Sequence, residues 1–157
     1  MFDVLTFFMD LQHYPLRASD DYLSYSFLSL GRRGAILKVI TFDPIETEPH
    51  QVFNLSLADT DNMTKQIRDD VISDNGDKNK IVETVAESIN IFCEHYFKAY
   101  ILIRGNSSSR NRLYQMAIGK RVKKIRLRYE IYGLTKTGWQ AFLQNQNYDG
   151  FLLRRND

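Results

Sequence analysis

The sequence has little cysteine and no long hydrophobic run. Its single cysteine, Cys93, excludes an internal disulfide framework and a cysteine-rich metal site. No segment approaches the roughly 20 apolar residues that a membrane-spanning helix needs. The apolar segment 1–12 carries Asp3 and lacks the basic region and the small-residue cleavage site of a signal peptide. We therefore expect a cytoplasmic protein in a reducing compartment, with no membrane contact.

Catalytic and cofactor motifs are also missing. No glycine-rich nucleotide fingerprint follows a predicted strand, and neither a P-loop nor a GxSxG elbow is present. His13, His50 and His95 lack the HxxxH or HExxH spacing of a metal site. Cys93 falls on the apolar stripe of a predicted helix, which indicates a core thiol rather than a nucleophile. The sequence therefore predicts no cofactor and no metal, and leaves open whether the protein is an enzyme.

Charge is strongly segregated along the chain, although the net charge is only +2. Residues 43–94 carry twelve acids and four bases, whereas residues 95–128 carry ten bases and no acid. Two interpretations stay open. Either the two regions neutralise each other in the fold, or the basic region forms a surface that binds an anionic partner, namely nucleic acid or an acidic protein.

The patterning of apolar residues predicts a single α+β domain over 1–157, with 1–12 as a loosely ordered segment. A three-stranded antiparallel meander at its start turns at 31-GRRG-34. A mainly antiparallel sheet should carry two main helices on one face. The predicted strands are 22–30, 35–42, 50–57, 100–104, 125–133 and 151–155; the predicted helices are 79–99 and 108–118, with Asp77 as the N-cap of the first, a helical turn near 62–68 and a short helix near 139–143.

Arg110 has an unusual predicted position on the second helix. A rotation of about 100° per residue places Arg110 at the centre of an apolar stripe on this helix. Its position is unusual because every other member of that stripe is uncharged. A buried guanidinium needs a partner, and the acidic loop offers Asp77, Asp70 or backbone carbonyls. The stripe consists of Leu113, Tyr114, Ala117 and Ile118, while Arg112, Gln115 and Gly119 are predicted to face solvent.

The basic block suggests an anion-binding surface. The start of the second helix offers free N–H groups and hydroxyls, which can either seat an anion or simply cap the helix. The block 120-KRVKKIRLR-128 can either track phosphates or serve as a solvated basic face. The predicted anion-binding residues are Arg104, Ser107, Ser108, Arg112, Lys120, Arg121, Lys123 and Lys124.

Two enzymatic alternatives and one assembly alternative accompany this binding hypothesis. A small metal-free ribonuclease would use Arg110 and Tyr114 with the acidic 69–77 loop, where Asp77 is the candidate acid. A metal-dependent nuclease would need the loop carboxylates to gather, although turns and caps explain the same residues. An oligomeric subunit, for instance a homodimer, would associate through a strand edge. The loop carboxylates are Asp59, Asp61, Asp69, Asp70, Asp74 and Asp77.

Four segments together resemble a family of small Bacteroidota proteins of unknown function. They are 25-YSFLSLGRRGAILK-38, 54-NLSLAD-59, 75-NGDKNKIVETV-85 and 105-GNSSSRNRLYQ-115, and the resemblance spans roughly 14–155. It implies no established activity; a defence or toxin–antitoxin role is a hypothesis suggested by the small size of the protein. Asn106 and Ser107 stand where the family pattern has Ser-Thr. The residues that the resemblance marks are Gly31, Gly34, Lys38, Asn75, Gly76, Asp77, Lys80, Thr84, Gly105, Arg110, Leu113 and Tyr114, of which Gly31, Gly34, Asp77, Gly105 and Arg110 are expected to have structural roles.

Overall fold

The computed structural model describes residues 12–60 and 75–157, together with the backbone of 67–68. The predicted α+β class is confirmed by two helices and a mostly antiparallel arrangement of strands. The strands are β1 Arg17–Ala18, β2 Ser24–Gly31, β3 Gly34–Glu46, β4 Val52–Thr60, β5 Ile67–Arg68, β6 Tyr100–Ile103, β7 Tyr129–Thr135, β8 Gly138–Ala141 and β9 Phe151–Arg155; the helices are α1 Lys78–His95 and α2 Ser108–Arg126.

The chain divides into two compact units. Unit 1 comprises Met1–Thr41 and Ser56–His95, and unit 2 comprises Phe42–Leu55 and Tyr96–Asp157. Strands β3 and β4 contribute residues to both units. The expectation of a single domain stays a prediction, and the loosely ordered segment expected at 1–12 lies outside the described residues except for Gln12.

Unit 1 is built on the predicted hairpin of β2 and β3. The two strands pair antiparallel from Ser24↔Thr41 to Gly31↔Gly34, so the turn falls at 31-GRRG-34 as expected. Gly34 has a φ of +88°, a conformation that glycine adopts without steric cost. Alternate residues on the two strands are buried: Tyr25, Phe27 and Ser29 on β2, and Lys38 and Ile40 on β3. The third predicted strand is present as β4, whereas its place in a meander and the packing of the helices on one face stay predictions.

Helix α1 matches the predicted apolar stripe and begins at Lys78. Its buried residues include Ile89, Phe92 and Cys93, which agrees with a core thiol. Asp77 occupies the N-cap position, because its backbone oxygen accepts a hydrogen bond from the Ile81 N–H at 3.0 Å. The helical turn expected near 62–68 is wrong at its end, where Ile67–Arg68 forms a short strand paired with β4; residues 61–66 lie outside the described residues.

Unit 2 is a second group of paired strands with α2. β4 pairs with β6 in parallel, and β6, β9, β7 and β8 then follow as antiparallel neighbours. The short helix predicted near 139–143 is wrong: Gly138–Ala141 is strand β8, which turns back from β7. Gly138 has a φ of +129° at the start of that strand, a backbone conformation that marks a turn rather than a helix.

Helix α2 is longer and faces differently than predicted. It runs to Arg126 rather than to Ile118, so Ile125 and Arg126 are helical and not part of the next strand. Its buried residues are Ile118 and Val122, whereas Leu113 is 46% exposed. The expected core position of Leu113 is therefore wrong. Gln115, expected to face solvent, is instead half-buried, because hydrogen bonds to a distant loop hold its side chain.

Two glycines allow a matched test of this packing. A Cβ on Gly31 would lie 1.8 Å from the backbone oxygen of Asn75, whereas a Cβ on Gly119 in α2 meets no atom within 4 Å. We expect Gly31→Ala to lower the free energy of unfolding by about 1–3 kcal/mol through the steric conflict. Gly119→Ala should raise it by up to ~1 kcal/mol, because alanine is the better helix former. Chemical denaturation measures both, and equal effects of the two substitutions would contradict the described packing.

Candidate functional site

The exposed face of α2 carries most of the predicted anion-binding cations. The helix has seven lysines and arginines and no acidic residue. Arg112, Lys120, Lys123 and Lys124 are exposed, and a rotation of about 100° per residue places them within an arc of about 120°. We call these four residues the basic face. The two outermost are twelve residues apart, so the face extends over about 18 Å.

The remaining predicted anion-binding residues lie elsewhere. Arg104 is exposed just after β6. Arg121 is half-buried and donates to the backbone oxygen of Ala117 at 3.2 Å. Ser107 is the N-cap of α2, and its hydroxyl accepts a hydrogen bond from the Arg110 N–H at 3.2 Å. Capping therefore accounts for Ser107, while an anion at Ser107 and Ser108 stays a prediction.

Neutralisation of the basic face within unit 2 is slight. Unit 2 contains thirteen lysines and arginines against six aspartates and glutamates, a formal charge of +7. Arg112, Lys120 and Lys123 make no ion pair with any residue that the structure describes. Exposed apolar side chains are interleaved with these cations, since Met116 is 49% exposed and Leu127, just beyond the helix, is 80% exposed. This surface therefore combines three cations that lack a described ion pair with apolar contact area.

A cavity of about 350 Å³ opens beside the basic face. One wall is α2, and the other is the loop between β8 and β9. Side-chain amides dominate the lining, and Arg112 belongs both to the lining and to the basic face. The lining residues are Arg112, Gln115, Met116, Gly119, Gln144, Asn145 and Asn147.

Side-chain hydrogen bonds fix the two walls of this cavity to each other. The Gln115 amide donates to the backbone oxygen of Gln146 and accepts from the Tyr148 N–H at 3.1 Å. Gln144 Nε2 donates to the backbone oxygen of Gly119 at 2.9 Å. These bonds occupy Gln115 and Gln144, whereas Asn145, Asn147 and Arg112 make no side-chain hydrogen bond with a described residue.

Tyr148 anchors the loop from the other side. Its hydroxyl accepts from the Leu143 N–H at 2.9 Å and from Gln140 Nε2 at 2.9 Å. Its ring lies against Gly133, where an added Cβ would approach the ring to 2.2 Å. The loop is therefore held in place before any ligand arrives.

A second polar cluster lies in unit 1, around Asp77. Its Oδ2 atom accepts hydrogen bonds from the hydroxyls of Tyr14 and Ser29, each at 2.5 Å. The neighbouring Asn75 side chain donates to Ser29 and Gly34 and accepts from the Arg33 N–H at 2.7 Å. The predicted cap residue therefore directs its carboxylate to the hairpin, and the cluster joins the hairpin to the start of α1.

Burial and the Asp77 carboxylate both act on Tyr14. Burial raises the pKa of Tyr14 first, and its hydrogen bond to Asp77 raises that pKa further. The tyrosine ring stacks on Phe27 at 5.6 Å, and its N–H donates to the Thr84 hydroxyl on α1 at 2.9 Å. Tyr14 therefore links β2 and α1 as a neutral hydrogen-bond donor.

The face of the hairpin that carries Ser29 also holds a buried ion pair. Lys38 Nζ lies 2.5 Å from Asp59 Oδ1, and the Lys38 side chain is fully buried. Lys38 is opposite Phe27 in the ladder, and strand alternation places it on the face of Ser29, one row away. Burial of a lysine on this scale requires such a partner.

The candidate catalytic residues divide between the units. Asp77 belongs to unit 1, where two hydroxyls occupy its Oδ2 atom, whereas Arg110 and Tyr114 belong to unit 2. The pairing of Arg110 with Asp77 stays a prediction, and Asp70 lies outside the described residues. Asp61, Asp69 and Asp74 also lie outside them. Among the described residues, no group of three or more histidines, cysteines or carboxylates could hold a metal ion.

The chain matches the model of a family described as "Family of unknown function (DUF6934)" over residues 10–156. The chain belongs to this family. The resemblance noted from the sequence, to a family without an assigned activity, is thereby confirmed. No curated protein and no solved structure matches the chain. No helix in the described part of the chain has the length and apolar character needed to cross a membrane.

Sequence reasoning missed the cavity and the Asp77 cluster. The amide-rich run 144-QNQN-147 was the available signal for the cavity, but only the hydrogen bonds to α2 show that it forms a wall. Tyr14 and Ser29 gave no signal, because serine and tyrosine occur on many strands. Their bonds to Asp77 span 63 and 48 residues of sequence.

Tyr14→Phe tests the Asp77 cluster through pH. The pKa of Tyr14 is higher in the folded protein than in the unfolded chain. Its contribution to the free energy of unfolding is therefore complete below about pH 10 and decreases as the pH rises further. The substitution should cost about 1–3 kcal/mol at neutral pH, because a buried hydrogen bond to a charged acceptor is lost. The substitution should also reduce the loss of stability that occurs as the pH rises above about 10. Denaturation from pH 7 to pH 11 measures both, and an unchanged alkaline decline would contradict the assignment.

Lys38 and Asp59 allow a double-mutant test of the ion pair. Lys38→Ala should lower the free energy of unfolding by about 3–5 kcal/mol, because it removes the charge that lies 2.5 Å from the buried Asp59 carboxylate. Lys38→Met combined with Asp59→Leu should cost less, because both charges are then removed. If the double variant is less stable than Lys38→Ala, the pair has a role beyond mutual neutralisation.

Proposed function

We propose that this protein is a binding module that uses the basic face of α2 to bind the phosphate backbone of nucleic acid. The observation that supports it is the exposure of four cations on one arc of a helix that has no acidic residue. Three of them make no ion pair with a described residue. Closely spaced cations bind a phosphate backbone by releasing its counterions, and this requires no base-specific contact.

The helix dipole does not explain this charge distribution. Lys123 and Lys124 lie near the C-terminus of α2, where cations complement the dipole. Arg110 and Arg112 lie near its N-terminus, where the dipole favours anions and disfavours cations. The first turn of α2 contains no acidic residue. Arg112 therefore does not stabilise the helix through the dipole, and its position favours a role in ligand binding. Phosphate recognition is such a role.

An acidic protein partner is the second candidate. Leu113, Met116 and Leu127 are exposed among the cations, and an amphipathic acidic segment could cover both kinds of group. The described contacts do not favour the ribonuclease or the oligomeric subunit, and both stay predictions. A cytoplasmic location and a defence or toxin–antitoxin role also stay predictions.

Salt dependence of binding tests the proposal. Four phosphate contacts to a single strand predict that log K falls with log salt concentration with a slope of about −2.8. Lys123→Ala should weaken binding and reduce this slope by about 0.7, because one contact is lost. Lys136→Ala is the matched control, since Lys136 is an exposed lysine of unit 2 outside the basic face. Fluorescence anisotropy with labelled oligonucleotides measures both quantities.

Three outcomes would contradict the proposal. Binding could be absent at low salt, the slope could be the same in wild type and Lys123→Ala, or Lys136→Ala could reduce the slope as much as Lys123→Ala. A gel of the same mixtures shows whether the strand is cleaved, which would support the ribonuclease instead. Binding of an acidic peptide without binding of oligonucleotides would support the protein partner.

A further inference from the structure

We infer that the cavity between α2 and the 144–147 loop is a nucleobase-binding site, so that the ligand of the basic face is single-stranded nucleic acid. This inference rests on the proposed function and specifies its ligand. Arg112 connects the two features, because it lines the cavity and is also the first cation of the basic face. A base in the cavity would place its own phosphate beside Arg112.

The polar groups of the cavity match the edge of a nucleobase. Asn145 and Asn147 line it and make no side-chain hydrogen bond with a described residue. Each amide offers one acceptor and two donors, the combination with which asparagine reads base edges. The Gln115 and Gln144 amides are engaged in holding the walls together. Asn145 and Asn147 are therefore the groups that would contact the ligand.

The apolar part of the cavity suits a flat ring. Met116 supplies a thioether, which makes favourable contacts with aromatic systems. Gly119 adds no side chain, and the space beyond its Cα is open, since an added Cβ would meet nothing within 4 Å. A volume of about 350 Å³ is large enough to admit one base.

The cavity is formed before the ligand arrives. Gln115 and Gln144 tie α2 to the loop through three hydrogen bonds, and Tyr148 holds the loop from behind. Binding therefore requires little ordering of the protein, which favours affinity. A base can enter only if it is unpaired, because extraction from a duplex requires breaking its stacking and pairing. The site should therefore select single strands over duplexes.

Homopolymeric oligonucleotides of about twelve nucleotides test the inference. The probes are single-stranded DNA of each base, the corresponding RNAs and one duplex, all compared at equal salt. We expect a preference for one base and for single strands, and the RNA probes show whether the 2′-hydroxyl matters. Asn145→Ala combined with Asn147→Ala should weaken binding of the preferred base about tenfold and flatten the preference. The slope of binding against salt should stay that of wild type, because no phosphate contact is removed.

A second pair of variants fills the cavity without changing any amide or charge. Gly119→Leu should occupy the cavity and remove the base preference, while Gly119→Ala controls for the change in helix propensity. Asn156→Ala controls for loss of an exposed amide of unit 2 outside the cavity. Thermal denaturation establishes that each variant is folded.

The results separate this inference from the proposed function. If the asparagine and Gly119→Leu variants keep the base preference of wild type while Lys123→Ala lowers the salt slope, the cavity inference is overturned and the basic face stands. If the duplex binds as tightly as every single strand, the inference is also overturned. If wild type binds none of the probes, both proposals fail.

Discussion

The Asn75 side chain makes four hydrogen bonds inside unit 1, to Ser29, Gly34 and the Arg33 N–H, and it is fully buried. A buried amide that lost these partners would be destabilising, because each polar group has left water. These bonds therefore fix the turn of the β2–β3 hairpin to the segment that leads into α1. The close approach at Gly31 follows from this arrangement, since a side chain there would occupy the space of the Asn75 backbone oxygen. Asp77 then accepts from Tyr14 and Ser29 in a cluster that is already positioned.

Unit 2 uses the same physical device for a different result. The Gln115 amide bonds to the backbone of the 144–148 loop, as Asn75 bonds to the hairpin in unit 1. In unit 1 the amide closes the structure, and the polar side chains around it are engaged with one another. In unit 2 the same kind of contact ties two walls together beside a cavity lined by further amides. The exposed Asn145 and Asn147 amides, which make no side-chain hydrogen bond with a described residue, lie beside the basic face, whereas in unit 1 the buried Asp77 Oδ1 atom has no described hydrogen-bond partner.

The sequence predicted the elements whose patterns are local. The β2–β3 hairpin followed from glycines around a turn, and α1 followed from its apolar spacing. Helix α2 was cut short because residues 119–126 are mostly charged, yet lysine and arginine are good helix formers. The orientation of α2 could not be predicted, since Leu113 is the more apolar residue and Gln115 turns inward only because of bonds to residues 31 and 33 positions away. The candidate site divides in the same way: its charges were visible in the sequence, and its cavity depends on long-range contacts.

Four of the residues marked by the family resemblance can be explained without catalysis. Gly31 and Asn75 are constrained by close packing and buried hydrogen bonds, Lys38 by a buried ion pair, and Thr84 by its bond to the Tyr14 N–H. Each of these requirements concerns folding of unit 1. The cavity residues Asn145 and Asn147 have no such structural requirement among the described contacts, and neither has Lys123 on the basic face. Substitution of such exposed residues is expected to change stability little, so it can test ligand binding without disturbing the fold. The search for the function of this family therefore begins in unit 2, at residues that the motifs do not mark.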